Sequence, residues 1–172
     1  MRLHAARIPM IVREIVDVLM QRELVEVLPG SVPEVARDVE SVLAEYVRMD
    51  RQLTDEAKDL AAQKSLDYSQ HQKIKKQLAE RKKFGIHEEA ISYLANQVIE
   101  TLLHTGNIEE IFAEDHELRA AVAPILRRSM ITTDPLDEEV RKRIKNLQEG
   151  TQDWEIEYQQ TLDRLRRARG LS

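Results

Sequence analysis

The chain has 172 residues, 33% of them charged and only 4% aromatic, with five glycines, five prolines, no cysteine and a formal net charge of −5. That balance favours helices over strands. It excludes disulfides, thiolate catalysis and cysteine-based metal sites, and argues against a generic nucleic-acid coat, which is basic overall.

The first helix is expected from about Pro9 to Leu28, with Ile11, Val12, Ile15, Leu19 and Val25 on its apolar side. Arg13, Glu14 and Asp17 interrupt its apolar run, so it is neither a signal-peptide core nor an anchor. No apolar run approaches the ~18–20 residues that span a bilayer, and a soluble cytoplasmic protein is expected. Leu28-Pro29-Gly30 closes this helix. Ser31-Val32-Pro33-Glu34 fits a capping box opening a second helix that buries Val35, Val39, Val42, Leu43, Tyr46 and Val47. A start signal at Thr54-Asp55-Glu56 opens a third segment with Leu53, Ala57 and Leu60 on its apolar side. Ser65 to Ser69 reads as an interruption, and Lys73 to Lys83 as a charged helix ending at Phe84-Gly85.

A helix from about Glu88 to His104 follows, burying Ile91, Leu94, Ala95, Val98, Ile99 and Leu102, with Gly106-Asn107 as its stop. A short turn carrying Ile108, Ile111 and Phe112 leads to Asp115, the expected N-cap of a helix through Met130 that Pro124 should kink. Asp134-Pro135, an N-cap acid before Pro at the first helical position, marks the sharpest boundary. Beyond it Leu136, Val140, Ile144, Leu147, Thr151, Trp154, Tyr158, Leu162 and Leu165 recur in steps of three and four. This is a heptad-like seam weakened by Gly150.

The pattern is duplicated. Glu14 to Met20 reads against Gln97 to Leu103, and Val25-Glu26-Val27-Leu28 against Ile108-Glu109-Glu110-Ile111 in the same register. After a four-residue shortening, Val39 to Arg48 reads against Leu118 to Arg127. Two copies of one apolar stripe imply two copies of one helical unit. The expected organisation is all-α, with tandem duplicated helical units and long charge-rich helices forming an elongated arm. Residues 1–67 make the first unit, 68–84 a basic connector, 85–131 the second unit and 132–172 a C-terminal heptad-like segment. Residues 53–83 and 135–168 are expected to pack along each other as the arm, with few core contacts of their own.

Chemistry is harder to find. His87-Glu88-Glu89-Ala90-Ile91 begins like a helical zinc motif, but Ile91 stands where the second imidazole must be. The cluster Glu109, Glu110, Glu114, Asp115, His116, Glu117 lacks the glycine and alternating spacing of a calcium loop, and its residues read as a cap and a solvated rim. There is no Gly-rich phosphate loop and no Gly-x-Ser-x-Gly elbow. No catalytic, cofactor or metal residue is therefore assigned. Two basic runs remain: Lys73, Lys75, Lys76, Arg81, Lys82 and Lys83, and the C-terminal Arg164, Arg166, Arg167 and Arg169. Cations at that density suit phosphate backbones, but no aromatic interleaves the first run, and the second sits where cations complement a helix dipole. Trp154 and Tyr158 share the seam. If a neighbouring helix covers them they are core; if not, they are an interface anchor.

Met1-Arg2-Leu3, Asp38 to Tyr46, Gln77-Leu78-Ala79-Glu80 with Phe84-Gly85, and Ile108 to Arg119 together resemble a bacterial family known as domain of unknown function 507. The resemblance spans about residues 1 to 130. It implies a bacterial cytoplasmic setting and carries no activity, cofactor or catalytic residue. The reading favoured is a non-enzymatic interaction or scaffolding protein that meets a protein partner or a second copy of itself. The alternative is an RNA- or DNA-associated protein gripping phosphates through Lys73–Lys83.

Overall fold

The computed structural model describes residues 2–130 and 135–171. It is predominantly α-helical, as the composition implied, with one two-stranded sheet. In chain order come α1 (Ile8–Gln21), β1 (Val25–Val27), α2 (Val32–Gln63), α3 (His71–Arg81), α4 (Ala90–His104), β2 (Ile108–Ile111), α5 (Asp115–Met130), α6 (Asp137–Arg143) and α7 (Gln152–Ala168). No helix among the described residues is long and apolar enough to cross a membrane.

The stripe of α1 is buried as its spacing demands, through Ile8, Ile11, Val12, Ile15, Val16 and Leu19. The helix stops seven residues short of the expected Leu28. Glu23 turns left-handed at φ +53°. Its N–H donates to the Met20 carbonyl at 3.1 Å and that of Leu24 to the Leu19 carbonyl at 3.0 Å, the paired bonds of a Schellman stop. A residue with a Cβ costs about 1 kcal/mol in that region, so glycine is the usual signal, and none is present at this position. Ser65 after α2 and Lys83 after α3 sit at the same φ and close their helices with the same bond pair. Among the described residues only α7 uses a glycine, Gly170, for such a stop.

Beyond Glu23 the chain runs extended, and Val25-Glu26-Val27 pairs antiparallel with Ile108–Ile111. The expected helix tail and turn are therefore strands. Val25 lies opposite Ile111 and Glu26 opposite Glu110, with an irregularity before Val27 meets Ile108. Leu28 N–H to the Asn107 carbonyl and Phe112 N–H to the Leu24 carbonyl extend the ladder at both ends. Val25 matches Ile108, 83 positions on, so the pairing joins equivalent segments of the two copies head to tail. The helices obey the same near two-fold relation: α1 packs on α2 and α5, and α4 packs on α5 and α2. Both copies consequently feed one apolar core that runs from Leu3 to Met130.

α2 continues through the expected start at Thr54. The Thr54 hydroxyl donates back to the Asp50 carbonyl at 3.0 Å, which satisfies it inside a helix as well as at a cap, and Leu53, Ala57 and Ala61 keep the stripe buried. At its other end Ser31 makes no side-chain cap, and Glu34 pairs with Arg37 instead. At α5 the capping contact is one residue earlier than expected, with the Glu114 N–H donating to the Glu117 carboxylate at 2.9 Å. The helix runs on through Pro124 to Met130. Residues 53–83 do not stand out as an arm, because Leu53, Ala57, Leu78 and Ala79 belong to the shared core. The boundary residue Asp134 lies outside the described residues; α6 begins at Asp137.

Gly85 has a packing reason that its neighbours in sequence do not disclose. A Cβ there would meet the Tyr93 Cβ at 2.5 Å and the Glu89 carbonyl oxygen at 2.8 Å, while its own carbonyl accepts the buried Tyr46 hydroxyl at 2.8 Å. Tyr46, Phe84 and Tyr93 close around this point with ring centroids 4.8 to 6.0 Å apart. Gly85→Ala should therefore lower stability by about 2–3 kcal/mol, read as a lower midpoint in urea with the slope unchanged. A loss below about 0.5 kcal/mol would show that the loop relaxes freely.

Candidate functional site: the C-terminal hairpin and its junction with the body

Val140 of α6, with Leu136 and Ile144 at the two ends of that helix, meets Leu162 and Leu165 from α7 in a second apolar cluster, separate from the main core. The heptad-like seam thus folds back on itself across a turn at Gly150, where φ is +88°. The Thr151 hydroxyl caps α7 by accepting the Trp154 N–H at 3.2 Å. Trp154 and Tyr158 are half-buried against this small core, their rings stacked 5.1 Å apart. The Arg141 guanidinium lies 5.2 Å from the Trp154 ring centroid and 6.0 Å from that of Tyr158. Bonds to Glu149 and Asp137 hold it in place and push its pKa up. The Tyr158 hydroxyl donates to the other Asp137 oxygen. The result is a fixed cation–aromatic stack at the surface, assembled from both helices.

The basic run Lys73–Lys83 does not form one face. Lys73, Lys76, Arg81, Lys82 and Lys83 are exposed, whereas Lys75 is buried and bonds Asp50 of α2 at 2.7 Å. Lys82 reaches Glu56 at 3.1 Å. His71, Lys75, Leu78 and Ala79 form the buried side of α3, so the helical spacing of Lys75 with Leu78 and Ala79 was a legible sign that this lysine faces inward. Its partner 25 residues away was not. Phe84, the aromatic nearest this run, is buried on Tyr46. In the C-terminal run Arg166 is buried beside Asp163, and Arg169 pairs with Glu139 at 2.5 Å.

α7 meets the body through polar contacts. Asp163 lies 3.3 Å from Arg51 of α2, and a pocket of about 250 Å³ between them is lined by Asp50, Thr54, Lys58 and Lys75 on the body and Glu155 and Gln159 on α7. The acidic residues Glu109, Glu110, Glu114, Asp115 and Glu117, and His116 among them, are all exposed. No group of three or more possible metal ligands converges among the described residues.

The chain belongs to the family described as protein of unknown function (DUF507). The match covers residues 1–171, well past the segments near the N-terminus and centre that carried the resemblance, and so includes the hairpin. No curated protein matches the chain.

The two lysine pairs differ in environment, and stability should report the difference. Breaking the buried pair with Asp50→Ala strands the Lys75 ammonium and should cost about 3 kcal/mol. Glu56→Ala, at an exposed pair, should cost under about 1 kcal/mol. Equal losses in chemical denaturation would contradict the assigned burial.

Proposed function

We propose that this is a non-enzymatic protein–protein interaction or scaffolding protein of the cytoplasm, and that the α6–α7 hairpin is the part that meets its partner or a second copy. The observation that carries this reading is the hairpin's construction: a small core of its own, a polar junction with the body, and a rigid Arg141–Trp154–Tyr158 stack half open to solvent. Tryptophan, tyrosine and arginine are the side chains on which binding energy concentrates; the two aromatics offer a large rigid contact area at little entropic cost. A stack already held by Asp137 and Glu149 adds preorganisation.

The phosphate-backbone alternative is less well supported. Lys75 is spent on Asp50 inside the protein, Lys82 on Glu56, and Phe84 is not on the surface to stack on a base. Lys73, Lys76, Arg81 and Lys83 remain as its carriers.

Full-length Arg141→Glu and Trp154→Ala proteins test the proposal beside the native chain. Self-association is measured by analytical ultracentrifugation, and partner capture by quantitative affinity enrichment. Each variant should weaken at least one saturable association tenfold or more, while the main-core unfolding transition stays in place. Associations unchanged in both variants would overturn the assignment of the hairpin.

A further inference from the structure

α7 has two faces. Leu162 and Leu165 turn to α6, while Glu155, Gln159, Asp163 and Arg166, in steps of four, four and three, form a polar stripe on the side that meets the body. The stripe runs antiparallel to α2. Glu155 and Gln159 share the 250 Å³ pocket with Thr54 and Lys58. Asp163 meets Arg51, and Leu171 shares a second cleft, of about 750 Å³, with Ala44 and Val47. α7 packs closely on α6, and among the described residues the buried apolar clusters of body and hairpin stay separate. The junction is therefore two open clefts with, in the order of both helices, an ion pair between them.

Asp163 is the residue that both sides use. Its Oδ1 lies 3.3 Å from the Arg51 guanidinium of the body and 3.8 Å from that of Arg166 on its own helix. Two α2 carboxylates in the same cleft, Asp50 and Glu45, are engaged by Lys75 and Arg48. Loss of the Asp163 charge removes an attraction between body and hairpin and leaves two guanidiniums at the same point of the gap. The side chains of Arg51 and Asp163 are 31% and 34% exposed, and a pair that open contributes up to about fivefold to an equilibrium. With the apolar clusters separate, a factor of that size sets the balance between docked and released hairpin, and added salt erodes it.

We propose that the α6–α7 hairpin is a flap latched on the body by Asp163, which swings off α2 as an intact unit when that carboxylate is screened or neutralised. This deepens the proposed function by giving the partner-facing hairpin a docked and a released position. The movement is measured without any partner, so the latch can fail while the hairpin assignment stands, and the reverse.

Because the chain has no native cysteine, the full-length protein takes spin labels at chosen pairs of sites. One pair, Gln77→Cys on α3 with Asn146→Cys on the hairpin, spans the junction; another, Asn146→Cys with Gln160→Cys, lies within the hairpin. All three positions are exposed. Double electron–electron resonance at low salt should give one dominant distance for each pair. In sodium chloride at about 1 M, where the screening length falls to about 3 Å, the junction pair should gain a second distance population at least fivefold above its low-salt level, while the hairpin pair keeps its distance. Asp163→Asn should do the same at low salt. Arg51→Glu should open the flap further, and Arg51→Glu combined with Asp163→Arg should restore the docked distance. A junction distance indifferent to salt and to Asp163→Asn would overturn the proposal. So would a hairpin pair that broadens in step with the junction pair, which would mean unfolding, or a reversed ion pair that does not redock.

Discussion

The interaction on which the rest of the structure depends is the short antiparallel ladder between Val25–Val27 and Ile108–Ile111. A strand of three or four residues is too short to be stable by itself, and a two-stranded ribbon is marginal in water. Here it is stabilised by what it joins. The strands sit at the same point of each copy, so their pairing sets the copies in a near two-fold relation and brings α1 against α5 and α4 against α2. Each copy's helices then bury their stripes partly against the other copy. A core that neither half could build alone follows from this geometry, as it does for repeats that stack.

This explains which features were legible in the sequence. The apolar stripes of α1 and α4 are local and regular, so their buried residues could be read from spacing alone. The duplication was equally legible, because equivalent packing positions keep equivalent residues. What stayed hidden is where helices stop and where they continue. Glu23, Ser65 and Lys83 end their helices in a left-handed conformation that carries no glycine signal, and their cost is offset by packing that lies elsewhere in the chain. Val25-Glu26-Val27 alternates with period two, but next to a helical run three residues cannot outweigh fourteen. Thr54 reads as a cap only because a threonine hydroxyl serves equally well inside a helix.

The functional surface was legible in part. Trp154 and Tyr158 were visible as seam aromatics, but Arg141, which lies over both rings, belongs to α6, across an interhelical turn that no local pattern predicts. The basic run looked uniform as a string and is divided by depth: Lys75 faces inward, while Lys73 and Lys76 face out.

The shared core and the separate hairpin are both claims about cooperativity, and native-state hydrogen exchange measures that directly. Amides in α1, α2, α4 and α5 should exchange together as the slowest class, with one common opening free energy, while those of α6 and α7 exchange earlier as a second class. Separate opening energies for α1 and α4, or a hairpin as protected as α4, would contradict the account.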